Sequence, residues 1–351
     1  FRRFAVASLA TSVLFAGLTL TSTTASTRTN SGAVVTKNPL LDCMSNSAAS
    51  LNVLYLTDIS ASWKYTDKEE LRGPMISQTL GMFSQLGQDI KKPVKYSFVS
   101  FGTRADTKVT QSWMNLNQGN VDGQTAQVKS WASRAESLGT DWEAGLQQAH
   151  RLIDSARAQS KNPCFVMVWL TDGTLDLSPS NPVWVNENYQ SMLKIRAQID
   201  YFREPSHNVT VIGLLIDSKN AEAKKMTPYT GGPDVFNWII TGTGTAPVGL
   251  PNGKSFDSPL KPGQIPGHSI SKPSINDMKW EFVDLIAGLT GLNRVSTEDS
   301  NSELPVSQYV DKVRIFIKNP SPGMQLKISD ENGDNVCRLG VCQHSSASSS
   351  S

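Results

Sequence analysis

Three short runs in this chain are apolar at nearly every position: Leu51-Asn52-Val53-Leu54-Tyr55-Leu56-Thr57, Phe165-Val166-Met167-Val168-Trp169-Leu170 and Val209-Thr210-Val211-Ile212-Gly213-Leu214-Leu215-Ile216. A strand with one wet face alternates apolar and polar residues, whereas a strand covered by helices on both faces does not. Helical spacing fills the intervals, with Trp142, Leu146, Ala149, Leu152 and Ile153 on one face and Met192, Ile195, Ile199 and Phe202 on another. From Leu51 to about Val295 the alternation predicts an α/β fold with a mostly parallel sheet.

Further strands are expected at Val94 to Phe101, Lys108 to Trp113 and Val235 to Ile240. Gly102 to Thr107 is too short for a crossover helix, so the two strands it joins should form an antiparallel hairpin at one sheet edge. The helix over Lys68 to Ile90 is interrupted by Gly73-Pro74 and should start late, with Pro74 in its first turn. Trp280, Val283, Leu285, Ile286 and Leu289 predict a last helix that stops at Gly291.

Between Thr241 and Asn276 the composition shifts to Gly, Pro, Ser and Thr, an uncommonly long connection that reads as an insertion, either functional or mobile. A polar linker from Ser296 to Glu303 precedes Val310, Val313, Ile315, Ile317 and Met324, Leu326, Ile328, with Asn332-Gly333 as a turn. Residues 296–351 therefore read as a β segment, too small to stand alone, with a Ser-rich tail from Ser345.

Phe1-Arg2-Arg3-Phe4, an apolar stretch from Ala5 to Leu20 and Ser/Thr-rich sequence to Thr29 follow the order of an export signal. Residues 1–25 are read as that signal, cut near Ala25, and 26–50 as a linker, which predicts a secreted or cell-surface protein with no membrane span after cleavage. An uncleaved anchor is the alternative, disfavoured by the short Ser/Thr-rich stretch. Four cysteines in an exported chain favour two disulfides, and three connectivities exist. Cys43 and Cys164 each precede an apolar strand; if those strands are parallel neighbours, both thiols meet at one sheet edge, which leaves Cys337 with Cys342. Lysines and arginines (33) nearly balance acidic residues (31) in an interspersed pattern, so no footprint for nucleic acid or an anionic membrane stands out.

The first apolar run ends in Asp58-Ile59-Ser60-Ala61-Ser62, the second in Thr171-Asp172-Gly173, and Gly139-Thr140-Asp141 opens a helix between them. In open α/β sheets ligands bind beyond the carboxyl ends of the strands. Ser60 and Ser62, two residues apart, point the same way. Hydroxyls and carboxylates suit a hard divalent cation that keeps some of its waters. Singly, each motif is an ordinary cap or turn.

Together they give a close resemblance: residues 51–295 resemble a von Willebrand factor type A (VWA) domain with a metal-ion-dependent adhesion site. Asp58, Ser60 and Ser62 match its Asp-x-Ser-x-Ser motif, Thr140 its second loop and Asp172 its third; Val99-Ser100-Phe101-Gly102, Glu143-Ala144-Gly145-Leu146 and Thr230-Gly231-Gly232 add to the match. The resemblance implies a Rossmann-like, doubly wound six-stranded sheet that binds Mg²⁺, Mn²⁺ or Ca²⁺. It further implies that Ser60 and Ser62 ligate directly, that Asp58 acts mainly through water, and that Thr140 and Asp172 exchange direct and water-mediated roles when a ligand binds. Trp63-Lys64 departs from the integrin β-type pattern, which carries a second metal site there. The 241–276 insertion, placed after the last strand, is expected on the metal face, where a specificity loop or lid and a solvated linker are equal alternatives; Trp142 and Trp184 are rim candidates, although a Trp beside a helix start is more often core than contact.

The function this predicts is an exported, metal-dependent adhesion or assembly module that captures an Asp or Glu side chain of a partner protein, and not an enzyme. The alternatives are a metal-dependent hydrolase and a structural subunit with a purely stabilising metal. Against the hydrolase, His150, His207, His268 and His344 are scattered, and the three loops hold no general base beyond the ligands themselves.

Overall fold

A computed structural model of the chain describes residues 2–7, 12–17, 39–45, 50–172, 184–216, 233–243, 260–289, 293–297, 301–306, 312–317 and 327–329. The apolar N-terminal stretch forms strands β1 (Arg2–Ala7) and β2 (Ser12–Gly17), followed by helix α1 (Pro39–Ser45). Then come β3 (Leu51–Asp58), the single turn α2 (Trp63–Thr66), α3 (Arg72–Asp89), β4 (Val94–Phe101), β5 (Lys108–Asn115), α4 (Val121–Ala132) and α5 (Trp142–Gln159). Next are β6 (Cys164–Thr171), α6 (Trp184–Phe202), β7 (Val209–Ile216), α7 (Pro233–Thr241), β8 (His268–Lys272) and α8 (Ile275–Leu289). Four short strands follow, β9 (Asn293–Thr297), β10 (Asn301–Val306), β11 (Lys312–Ile317) and β12 (Lys327–Ser329).

Contacts divide the chain into residues 34–286 and a second unit of residues 1–33 with 287–351. The larger unit is a Rossmann-like α/β fold around a six-stranded sheet of order β5-β4-β3-β6-β7-β8. β3 pairs in parallel with β4 and β6, as do β6 with β7 and β7 with β8; β5 alone runs antiparallel, at one edge. Strand order reverses beside β3, between β3 and β6, and their register is level, Leu51 opposite Cys164 and Thr57 opposite Leu170. Asp58 and Thr171 thus end adjacent strands at the switch point, where such sheets bind ligands.

Every residue of β3, β6 and β7 is buried, as two-sided helix cover requires. One face is a cluster in which Leu54, Leu56, Met167 and Trp169 meet residues of α5, α6 and α7. On the other, Tyr55 stacks with Phe98 and Phe98 with Trp131, and the Tyr55 hydroxyl bonds Thr79 Oγ1 at 3.0 Å. Gly145 lets α5 sit close, since a Cβ there would meet Leu56 and Phe101 at 3.0–3.1 Å. Cys43 of α1 is joined to Cys164 at the N-terminal end of β6, the pairing expected from their shared sheet edge. Cys337 and Cys342 lie outside the described residues.

Three expectations need correction. Val235 to Ile240 is helical, not a strand: Pro233 occupies the first helical position, where its fixed φ suits helix initiation, and Phe236, Ile239 and Ile240 share a buried face. The sixth strand is instead β8, inside the stretch read as an insertion, and only its central Ile270 is buried. The connection after α7 therefore starts at the N-terminal end of the parallel strands, the end opposite Asp58. Its described ends meet there, where Gly242 lies against Leu260 and Arg203, Ile265 N donates to Arg203 O (3.1 Å), and Gln264 Nε2 bonds Glu204 Oε1 (2.9 Å), all just ahead of β7. Residues 244–259, the middle of the stretch expected as a specificity loop, lid or linker, lie outside the described residues.

In the second unit β1 is the central strand of a sheet ordered β10-β1-β12, and β2 of another ordered β11-β2-β9, all antiparallel. The segment read as an export signal thus supplies a strand to each sheet, and the expected polar linker contributes the ends of β9 and β10.

Candidate metal centre

β3 delivers Asp58 fully buried, and β6 ends at Thr171 with Asp172 one residue beyond. Asp58 Oδ1 accepts from Ser60 N at 2.7 Å and Oδ2 from Thr171 Oγ1 at 2.7 Å, so the carboxylate is fixed from both strands. The Ser60 and Ser62 hydroxyls lie 2.7 Å apart, and both donate to Asp172 Oδ1, Ser62 at 2.8 Å and Ser60 at 3.4 Å. Ser62 stands at the N-cap of α2 yet its side chain makes no capping bond. Its hydroxyl is directed to Asp172 instead. Four of the five expected ligands, Asp58, Ser60, Ser62 and Asp172, are therefore brought into one hydrogen-bonded cluster.

Thr140, the fifth, is placed by the backbone. It is buried immediately before Asp141, which caps α5 by accepting from Ala144 N at 2.9 Å and donates its own N–H to Gly102 O at 2.6 Å. The second loop is sewn to the first through Ser137: Ser137 N donates to Ile59 O (2.9 Å), Ser137 O accepts from Ala61 N (2.7 Å), and Ser60 and Ser137 form a parallel bridge. Ser137 Oγ also accepts from Thr103 N at 2.8 Å and donates to Asp106 Oδ2 at 2.7 Å. That brings in the β4–β5 connection, and Gly102 permits the approach, because a Cβ there would lie 2.1 Å from the Ser137 hydroxyl.

Other contributors carry no motif. Thr66 donates to Asp172 Oδ2 from the last residue of α2, a position four beyond Ser62 that has meaning only once that turn forms. Arg72, buried at the start of α3, donates to the carbonyls of Ala132, Ser133 and Arg134, lies 3.7 Å from Asp67 and stacks over Trp63 at 4.3 Å. It ties the end of α4 to the turn after Ser62. Of the two rim candidates, Trp142 follows the commoner course and is core, edge-on to Trp169 at 5.3 Å and to Phe236 at 5.8 Å. Trp184 begins α6, and Gly173 and Thr230-Gly231-Gly232 lie outside the described residues.

Burial drives the electrostatics. Desolvation raises both Asp58 and Asp172 well above the ordinary carboxylate range, and for Asp58 the neighbouring Asp172 charge adds to it; hydroxyl donors pull both partly back. Two buried carboxylates facing one another are stable as anions only with positive charge between or beside them. Arg72 supplies some of it to Asp172. Among the described residues no group of three or more His, Cys, Asp or Glu is placed to hold a metal. The donor set is instead two carboxylates and several hydroxyls, an all-oxygen set that fits a hard divalent cation and not a soft one.

No family model matches the sequence, and no curated protein is similar to it. Among solved structures the chain is similar to proximal thread matrix protein 1 from the mussel byssus, in a form with a zinc-occupied MIDAS motif, at 14% identity and TM-score 0.37, over 69% of this chain and 48% of that one. It is also similar to a von Willebrand factor type A protein from Catenulispora acidiphila (17%, TM-score 0.31, 51% and 36% covered). A third is the pilus adhesin SpaC from Lactobacillus rhamnosus GG (12%, TM-score 0.41, 70% and 31% covered). The chain spans less than half the length of each.

Proposed function

We propose that this chain is an exported, divalent-cation-dependent protein-binding module for adhesion or assembly, with a metal-ion-dependent adhesion site of the VWA type. The observation that carries the reading is the Ser60, Ser62 and Asp172 cluster at the mouth of the sheet, with Asp58 beneath it. Ser60 and Ser62 would hold the ion with Asp172, Asp58 and Thr140 around it. Bound there, Mg²⁺, Mn²⁺ or Ca²⁺ supplies an electrophilic position for an Asp or Glu carboxylate of a partner. The chain's own part is to keep Asp58, Ser60, Ser62 and Asp172 together, with Thr140 on the adjoining loop, and these loops are pinned by Ser137 and Arg72.

Export to the cell surface or the medium accords with the Cys43–Cys164 disulfide. Among the described residues no helix is long and apolar enough to cross a membrane. Hydrolysis is less favoured, because the acids that follow Thr140 are already engaged: Asp141 accepts from Ala144 N and Arg104, and Glu143 is occupied by Ser191, Gln147, Arg104 and Lys194.

Calorimetric titration of the wild type and of Asp172→Ala with Mg²⁺ and Mn²⁺, followed by pull-down from the native extracellular medium with Mg²⁺ or EDTA, tests this. Cation binding lost in Asp172→Ala and a partner retained only with cation are expected. Partner capture that ignores EDTA would refute the reading, and a melting temperature lowered by EDTA with no partner would assign the metal to stability alone.

A further inference from the structure

Asp172 has two carboxylate oxygens, and the chain engages them differently. Oδ1 accepts from Ser62 at 2.8 Å and from Ser60 at 3.4 Å, both candidate ligands. Oδ2 accepts from Thr66, which stands outside the Asp-x-Ser-x-Ser motif and is the only donor to that oxygen among the described residues. Thr66 is the last residue of α2, and Ser62 before it already has helical φ and ψ (-54° and -31°). Thr66 N donates to Ser62 O at 3.2 Å, the bond of an α-helical turn, so the two hydroxyls stand on one face, one turn apart. Both reach the same carboxylate.

The Thr66 hydroxyl also lies 3.3 Å from Ser62 O, but it has one proton to give. The carboxylate is the stronger acceptor and takes it. Asp58 is likewise met on both oxygens, by Ser60 N and by Thr171 Oγ1, each at 2.7 Å. Ser60 and Ser62 could turn lone pairs to an ion and still donate to Oδ1, since a hydroxyl ligates through its oxygen and keeps its hydrogen. Thr66 acts on the other oxygen, and its bond ties Oδ2 to α2.

We infer that Thr66 is a positioning residue for the candidate cation site: it holds Asp172 by Oδ2, so that Oδ1 alone is presented beside the Ser60 and Ser62 hydroxyls. This rests on the cation-dependent reading above. The number of oxygens that a carboxylate presents bears on which ion it suits. Ca²⁺ sits in a wide, flexible shell and takes a carboxylate through one oxygen or two, whereas Mg²⁺ demands a short, near-octahedral shell and keeps several waters. The two oxygens of one carboxylate lie too close together to fill two octahedral corners well. An Asp172 restrained to one oxygen therefore handicaps Ca²⁺ more than Mg²⁺, and the restraint comes from a residue that binds neither ion. Residues that orient a ligand without touching the metal tune its affinity in this way.

Calorimetric titration of the full chain with Mg²⁺ and, separately, with Ca²⁺ tests the assignment in wild type, Thr66→Val and Thr66→Ser. Val keeps the branched shape and removes the donor, whereas Ser keeps the donor. Thr66→Val should raise Ca²⁺ affinity relative to Mg²⁺ roughly tenfold, the lower end of what losing such an orienting partner does, and Thr66→Ser should keep the wild-type ratio. Melting in EDTA shows whether each variant is folded; Thr66→Ala, read in the same way, takes the place of Thr66→Val if Val opens the turn. A ratio that loss of the hydroxyl leaves unchanged, whether both affinities hold or fall together, would make Thr66 a structural residue of α2 and overturn the assignment while sparing the metal reading. A ratio shifted equally by Thr66→Ser would also overturn it, because the hydroxyl is then not the agent. A wild type that binds neither cation would remove both.

Discussion

The Thr171 hydroxyl donates to Asp58 Oδ2 at 2.7 Å, from the last residue of β6 to the last residue of its neighbour β3, across 113 positions of sequence. Both groups are buried, so this one bond fixes the orientation of the deepest carboxylate in the cluster. Thr171→Val keeps the shape and removes the donor. The buried acceptor left short of a partner should cost about 1–3 kcal/mol, read as a lower urea midpoint at unchanged slope. Mg²⁺ affinity should fall with it, since the freed carboxylate ionises less readily.

The carboxylate pair makes stability depend on pH in an unusual direction. Burial raises Asp58 from 3.8 to about 7 and Asp172 to about 6, so the folded cation-free chain holds protons that the unfolded chain releases. The stabilisation from these protons is complete below the unfolded values near pH 4 and is lost as pH climbs through 6 and 7. Melting temperatures in EDTA should therefore carry a component that declines from pH 4 to pH 7 and is smaller in Asp58→Asn. Mg²⁺ affinity should rise over the same window. Flat EDTA curves that Asp58→Asn leaves unchanged would contradict this.

Arg72→Met tests the tie beneath the cluster. The guanidinium serves three carbonyls and Asp67 from a buried position, and its removal leaves a buried carboxylate without its cation. A loss of about 3–5 kcal/mol is expected on denaturant unfolding. Asp67 itself keeps the backbone N–H groups of Leu71 and Arg72, so the chain should still fold.

Reduction of Cys43–Cys164, or its replacement by Ser at both positions, reopens a loop of 121 residues. Loop-closure entropy places the cost at roughly 4–5 kcal/mol. Thermal melts with and without reductant measure it, and Mg²⁺ affinity should be unchanged below the melt, because the bond lies at the other end of β6 from Asp172.

The parts legible from sequence are those in which one residue type settles the environment. Val166, Val168 and Leu170 alternate with Phe165, Met167 and Trp169, and a strand apolar on both faces has little choice but a covered parallel sheet. The Asp-x-Ser-x-Ser spacing likewise sets the Ser60 and Ser62 hydroxyls side by side, 2.7 Å apart, whereas no spacing announces that Asp58 Oδ2 meets Thr171. β8 was not legible, because one buried Ile270 among His268, Ser269, Ser271 and Lys272 makes no apolar run; its place is set by hydrogen bonding to β7. α7 was misread because five apolar residues in a run of six cannot separate a buried strand from a buried helical turn, although Pro233 marked the start. Thr66, Ser137 and Arg72 act through tertiary contacts that no spacing announces.

The Cys43–Cys164 bond and the ligand cluster sit at opposite ends of the same pair of strands, and this has a mechanical consequence. A pull on a partner held at Asp172 loads β6 along its length, so the ladders to β3 and β7 resist in shear with all their rungs at once, where a perpendicular pull would peel them in turn. At the far end the covalent link hands that load on to α1. Tension applied between the mouth and α1 should reach a rupture force that drops when reductant is added, and single-molecule pulling in either redox condition reads the difference directly.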